Sequence, residues 1–243
     1  MMRARLSLAA LLLLFVSQTG AGVTARIAII IDDLGYQLRS GSRAISLPGP
    51  VAYAFLPGTP RAAVLARQAH GLGKEVLLHL PLQARPGERI AEPVGIELDM
   101  SRDRVRTVFE EAMSSVPHVI GVNSHRGSLL TRHPGHMEWL MEEIRARDDL
   151  FFVDSYTTPD SVALQIAHEW GIDAVKRDVF LDPDRTAETV AREFERMKRL
   201  ARTQGAVVAI GHPYGNTLSL LERELPKLRE QGFDLVTISE LVR

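Results

Sequence analysis

The adjacent acids Asp32 and Asp33 close an apolar run, Ile27-Ala28-Ile29-Ile30-Ile31, and are followed at once by Leu34-Gly35. Further along, polar residues end one strand-like run after another: His79, His125, Asp154, Arg177-Asp178 and His212. Three of the eight histidines therefore occupy the same kind of position as the acid pair. A carboxylate with two neutral imidazoles suits a divalent metal such as zinc, leaving positions open for water and substrate. A metal so held lowers the pKa of bound water from 15.7 to roughly 7. A second carboxylate can then take the water proton, and a histidine across the site can protonate a leaving group. That division of labour is metal-assisted hydrolysis of an amide or ester. An isolated acid pair would read as a helix cap or a solvated turn, and an isolated histidine as a surface residue; the repetition at strand ends favours a site. No G-x-S-x-G elbow is present, and no glycine-rich phosphate loop follows the first run.

The elements that must position these residues alternate from Arg26 onward. The Ile-rich run reads as a strand buried on both faces, the habit of parallel sheets covered by helices. Further strands are expected over Pro50–Phe55, Glu75–His79, Val119–Val122, Leu150–Val153, Ala174–Phe180, Ala206–Ile210 and Leu235–Ile238. Between them lie helical stretches: one through His70, one capped by Ser101 with Val105, Val108 and Met113 on its apolar face, and one opened by Pro134. Others run from Pro159 to Trp170 and from after Thr186, with Val190, Phe194, Met197 and Ala201 on one face, before a last helix. Pro81 to Pro93 reads as an exposed loop. Such alternation predicts an α/β fold with a parallel sheet. Convergence of polar strand ends on one mouth favours closure into a small (β/α) barrel over an open sheet. Because neighbouring strand residues point to opposite faces, Asp32 and Asp33 are expected to face different partners.

Composition narrows the class further. Arg3 and Arg5, the apolar stretch Leu6–Val16 and the small residues up to Ala25 read as a secretory signal peptide over residues 1–25. The remaining residues 26–243 fit one catalytic domain, in an exported and expectedly periplasmic setting, with no stable membrane insertion after cleavage. There is no cysteine, so thiolate metal sites and cysteine nucleophiles are excluded. The formal charge is −1; without Arg3 and Arg5 it is −3, from 27 basic against 30 acidic residues. With no basic stripe, nucleic acid is not an expected partner.

Several segments together resemble the divergent polysaccharide deacetylase family. They are Ile29-Ile30-Ile31-Asp32-Asp33-Leu34-Gly35, His79-Leu80-Pro81, Gly121-Val122-Asn123-Ser124-His125-Arg126-Gly127-Ser128, Phe152-Val153-Asp154-Ser155, Arg177-Asp178-Val179-Phe180-Leu181-Asp182 and Ile210-Gly211-His212-Pro213. The resemblance implies a distorted (β/α) barrel of about seven parallel strands and removal of acetyl groups from polysaccharides with an Asp-His-His metal. It implies Asp32 as catalytic base, Asp33 and His79 as metal ligands, and His212 as general acid. The usual second metal histidine would fall within Leu82–Arg85, where none exists, and His125 is the candidate replacement. Arg177 is expected to orient or charge-stabilise Asp32, and Asp154 or Asp178 to supply a supporting hydrogen bond. Asn123 and Arg126 belong to a loop that commonly reads Asn-Asn-His-Met-Gly in the family and here reads Asn-Ser-His-Arg-Gly; Arg126 either attracts an anionic substrate or faces solvent.

The leading expectation is thus a zinc-type hydrolase acting on an acetylated cell-envelope glycan or peptidoglycan-derived substrate. The alternatives are a non-catalytic glycan-binding or regulatory module on the same fold, and a metal hydrolase of another amide. With two Trp and four Tyr, the sequence displays no evident aromatic platform for a sugar.

Overall fold

Isoleucine at four of the five positions from Ile27 to Ile31 stiffens the chain into an extended form that needs burial on both sides. It forms the centre of β1 (Ala25–Leu34), in which all five of these residues are at most 1% exposed. The computed structural model describes residues 24–242; the leader expected over residues 1–25 falls, but for its last two positions, outside them. Around β1 the sheet runs through β2 (Ala52–Phe55), β3 (Val76–Leu82), β4 (Val119–Arg126), β5 (Phe151–Asp154) and β6 (Ala174–Lys176) on one side. On the other side it runs through β8 (Ala206–Gly211) to β7 (Val179–Phe180), while β9 (Phe233–Leu235) pairs with the first residues of β1. Every ladder among the described residues is parallel.

Closure depends on one segment. The expected sixth strand, Ala174–Phe180, is broken into β6 and β7, and its halves pair with different neighbours. The Arg177 amide donates to Asp154 O on the β5 side, and the next amide, Asp178, donates to Val208 O on the β8 side. The ends of the sheet are thereby joined by two residues of chain, which gives a distorted barrel of seven strands when this segment is counted once, plus β9.

The strands sort their side chains by parity. Ile27, Ile29, Ile31, Tyr53, Phe55 and Leu78 pack outward against helices, among them α2 (Ala62–Gly71), α3 (Arg102–Ser115) and α6 (Ala187–Gln204). Ala28, Ile30, Ala52, Ala54, Leu77, Val153, Val208 and Ile210 fill the interior, and Val236, Ile238 and Val242 join them from the C-terminal segment. Helix α6 illustrates what holds the outer layer. Val190, Phe194, Met197 and Ala201 are all buried, the larger three contributing about 1.5–3 kcal/mol each. Its N-cap, Thr186, whose hydroxyl accepts from Thr189 N, contributes roughly 1 kcal/mol. Packing therefore outweighs capping. Gly205 ends the helix in the left-handed region at φ 83. The remaining helices are α1 (Leu38–Ile45), α4 (Pro134–Arg145), α5 (Ala163–Glu169), α7 (Gly215–Glu224) and α8 (Ser239–Val242).

Three expectations are corrected. The helix expected from Pro159 begins only at Ala163, because Asp154 and Thr158 hold the preceding turn through Ser161 Oγ and Asp160 N. The last strand ends at Leu235, and Ile238 onward turns into α8, whose first amides are held by Glu75. Of the loop expected over Pro81–Pro93, the first two residues belong to β3 and Gln83 is buried. The chain then folds back, so that Ile96 bridges to Leu82.

Candidate metal centre

Inward positions become polar as they rise through the barrel: Ile30 gives way to Asp32 on β1, Leu77 to His79 on β3, and Gly121 to Asn123 and His125 on β4. Simple alternation would turn Asp33 outward, away from this group. A bulge turns it back into the group. Between Ile31 and Leu34, β1 carries one residue more than β2, and Asp33 takes φ 60. Such a bulge bends the strand locally and re-aims a side chain. Asp33 Oδ1 consequently sits 3.2 Å from His79 Nε2 and 3.0 Å from His125 Nδ1, and those two nitrogens are 3.0 Å apart.

These three atoms fit a divalent cation. A tetrahedral zinc site with bonds of about 2.0–2.1 Å separates its donors by ~3.3 Å, close to the triangle present here. Asp33 Oδ1 is buried and accepts no hydrogen bond despite the two imidazoles beside it, an acceptor directed at the centre of the cluster. Burial alone would raise the Asp33 pKa, but His125 and His79 outweigh it and hold the carboxyl well below its ordinary range.

The supporting bonds fix the tautomer of one of the two histidines. Asn123 Nδ2 donates to Asp32 Oδ1 at 2.8 Å, which orients the amide so that its oxygen faces His79 Nδ1 at 2.9 Å. His79 therefore places its proton on Nδ1 toward Asn123 and presents Nε2 to the cluster, as metal-binding histidines do. Its pKa is raised to about 9: burial opposes the charge, but Asp32, Asp33 and the Asn123 bond favour it more.

Two groups flank the cluster. Asp32 is 2% exposed, and burial raises its pKa against the pull of His79 and His212. Its second oxygen, Oδ2, lies 3.6 Å from His79 Nε2. Across Asp33, His212 Nε2 lies 3.6 Å from Asp33 Oδ2. Asp182 holds His212 at two points, accepting from the His212 backbone amide and lying 2.8 Å from Nδ1, and it also accepts from Thr217 Oγ1. Burial would lower the His212 pKa; the Asp182 bond and the charges of Asp33 and Asp182 raise it.

The other expected site residues sit apart. Asp154 has the outward parity of Phe152 and is occupied by Tyr156 N and Ser161 Oγ. Asp178 accepts from Val208 N at the barrel seam. Arg177 donates to Ser155 O and Tyr156 O and lies over the Phe180 ring; its charge reaches Asp32 through space without a hydrogen bond. Arg126, at φ 56, pairs with Glu88 on the rim. Two residues close to the site were not singled out from the sequence. Asp182 appears there only as the tail of the Arg177–Asp182 motif, and Glu92, 3.1 Å from His125 Nε2, lies in an irregular loop with no periodic signal. Beside Asp33 a cleft of about 210 Å³ is walled by Tyr36, half exposed, and Tyr214, so two aromatic rings do border the site.

The barrel and its mouth define the class: the fold is that of the CE4 deacetylases. The chain itself belongs to the divergent polysaccharide deacetylase family, whose profile matches residues 29–242. YibQ of Escherichia coli K12, described as uncharacterized, is 34% identical over 201 residues; these are 83% of this chain but only 62% of YibQ, so the chain spans less than two thirds of that relative. A Haemophilus influenzae protein, likewise described, is 35% identical over 219 residues, covering 90% of this chain and 77% of its own. Among solved structures, ATU2773 of Agrobacterium tumefaciens superposes with a TM-score of 0.85 at 22% identity, covering 91% of each chain. The T48 deacetylase with substrate gives 0.54 at 11% identity over 90% of each. BA3943 of Bacillus anthracis, a CE4 family pseudoenzyme, gives 0.53 at 15% identity over 90% of this chain and 66% of its own.

Proposed function

We propose that the protein is a metal-dependent hydrolase that removes acetyl groups from a cell-envelope glycan, and that it works outside the cytoplasm, in the periplasm. The observation that carries this reading is the placement of two titratable groups on either side of the Asp33-His79-His125 cluster. A buried carboxylate with a raised pKa stands on one side, and an imidazole held toward its protonated form by Asp182 stands on the other. Groups whose surroundings tune them in this way take base and acid roles. Asp33, His79 and His125 would hold a divalent cation, zinc best matching the donor set, which would supply Lewis acidity and a more acidic water.

The residues of the chain do the rest. Asp32, steered by Asn123 through Oδ1, receives the proton of the attacking water. His212 Nε2 gives its proton to the departing amine or alkoxide, and the products are acetate and the deacetylated sugar. Tyr36 and Tyr214 offer stacking faces for a neighbouring sugar ring. The name of BA3943 as a pseudoenzyme keeps a non-catalytic glycan-binding module as the second reading.

Asp32→Asn and His212→Gln separate the two. Neither residue belongs to the proposed ligand set, so both variants should keep their metal while acetate release falls by about 10²- to 10⁴-fold. Wild-type release is measured first on peptidoglycan fragments, chitin oligomers and aryl acetates, with zinc, cobalt, nickel and manganese in turn. A metal-loaded wild type that releases no acetate from any of them, yet binds the glycans, makes the module the correct account.

A further inference from the structure

His125 poses a problem that His79 does not. Asn123 fixes which nitrogen of His79 faces the cluster, but nothing on β4 does so for His125. It is the penultimate residue of its strand, and the chain leaves β4 immediately after it through Arg126 in the left-handed region. An imidazole free to carry its proton on either nitrogen would present a lone pair to Asp33 and His79 only part of the time.

Glu92 resolves this. Its Oε1 lies 3.1 Å from His125 Nε2, on the far side of the imidazole from the cluster, and its side chain is only 10% exposed. The second oxygen, Oε2, is buried without any partner. A carboxylate oxygen left buried and unsatisfied is costly, so the placement needs a compensating role. The loop that delivers it is also more firmly held than its composition suggests. Buried Gln83 donates to Arg85 O and Glu88 O and accepts from Leu98 N, while buried Glu97 accepts from Ile90 N and pairs with Arg89. Ile96 N and Gln83 N complete the closure through Pro81 O and Ile96 O. Glu92 is thus presented on a closed strap tied to the end of β3.

We infer that Glu92 is a positioning residue for the metal centre. It accepts the Nε2 proton of His125, fixes that tautomer and commits Nδ1 as the ligand atom. The strap from Ala84 to Gly95 thereby supplies the support that a histidine from a separate strand lacks. The inference rests on the proposed Asp33-His79-His125 set but not on turnover. A protein that binds zinc through Glu92 and hydrolyses nothing would sink the deacetylase reading and leave this one standing.

The test compares zinc affinity, by competition with a chromophoric chelator, in wild type, Glu92→Ala and Glu92→Gln. Loss of such a partner typically costs 10- to 100-fold in metal affinity. Glu92→Ala should lose that much, and Glu92→Gln, which keeps a neutral acceptor, should recover part of it. Far-UV circular dichroism of the metal-free proteins checks that the barrel is intact. Nitrogen-15 shifts of His125 in zinc-loaded wild type provide a reading that needs no variant, and a proton on Nε2 is expected. Wild-type zinc affinity in Glu92→Ala, or a His125 proton on Nδ1 in the zinc-loaded protein, overturns the inference.

Discussion

At the scale of single residues, Asp182 is the test of how His212 is tuned. Its carboxylate lies 2.8 Å from Nδ1 and raises the imidazole pKa, which keeps His212 protonated to higher pH. Asp182→Asn keeps the shape and removes the charge, so the His212 pKa should fall. If His212 is the proposed acid, the alkaline limb of kcat should then move toward lower pH in a full pH profile. A limb that stays in place excludes His212 as the acid. The sequence made Asp32, Asp33, His79, His125 and His212 legible because each follows an apolar run, and strand ends in a barrel converge. The same rule overreached at Asp154 and Asp178, which satisfy backbone and hydroxyl donors around turns and the seam. It also missed Asp182 and Glu92, whose neighbourhood is set by chain crossings that no local period encodes.

At the scale of elements, the bulge on β1 is what brings both acids to one site, and Gly35 is what ends it. Gly35 has φ 132, and a Cβ there would lie 2.0 Å from Thr59 Oγ1, which donates to Leu56 O. Backbone strain alone costs about 1–3 kcal/mol at such a position. Gly35→Ala should therefore lower unfolding free energy in urea by at least that amount and weaken zinc binding, as the turn after Asp33 shifts. Gly71→Ala, at the end of α2 where a Cβ meets nothing, serves as the control and should be neutral or slightly stabilising. Equal losses in both variants would remove the special role of the turn. The strand itself was legible from its isoleucines. Its bulge was not, since an extra residue is defined only against a partner strand.

At the scale of the molecule, alternation of strand and helix fixed the class but not the manner of closure. That depends on Arg177 and Asp178, where successive amides reach opposite neighbours. Asp178 reinforces the seam by accepting from Val208 N through its own side chain. Asp178→Ala leaves that amide without its partner, at a cost of about 1–3 kcal/mol. Faster hydrogen exchange at Val208 is expected, with the amides of β2 and β3 unchanged. Uniform acceleration across the sheet would mean that the seam is no weaker than the rest of the barrel.

The position of β1 also has a consequence for the order of assembly. Ile30 and Ile31 pair on one side with Ala52 and Tyr53, nearby in the chain, and on the other with Ile210 and Gly211, near its end. A chain emerging from its N-terminus can form the first ladder early, while the second edge of its most apolar strand waits for β8. Contacts so distant in sequence slow folding, and an unpaired apolar edge is a template for association with other chains. The same strand carries Asp32 and Asp33, so the cluster drawn from β1, β3 and β4 can meet His212 only once the ladder between β1 and β8 has formed. Until then β1 keeps an unpaired apolar edge, and the acid pair has no His212 opposite it.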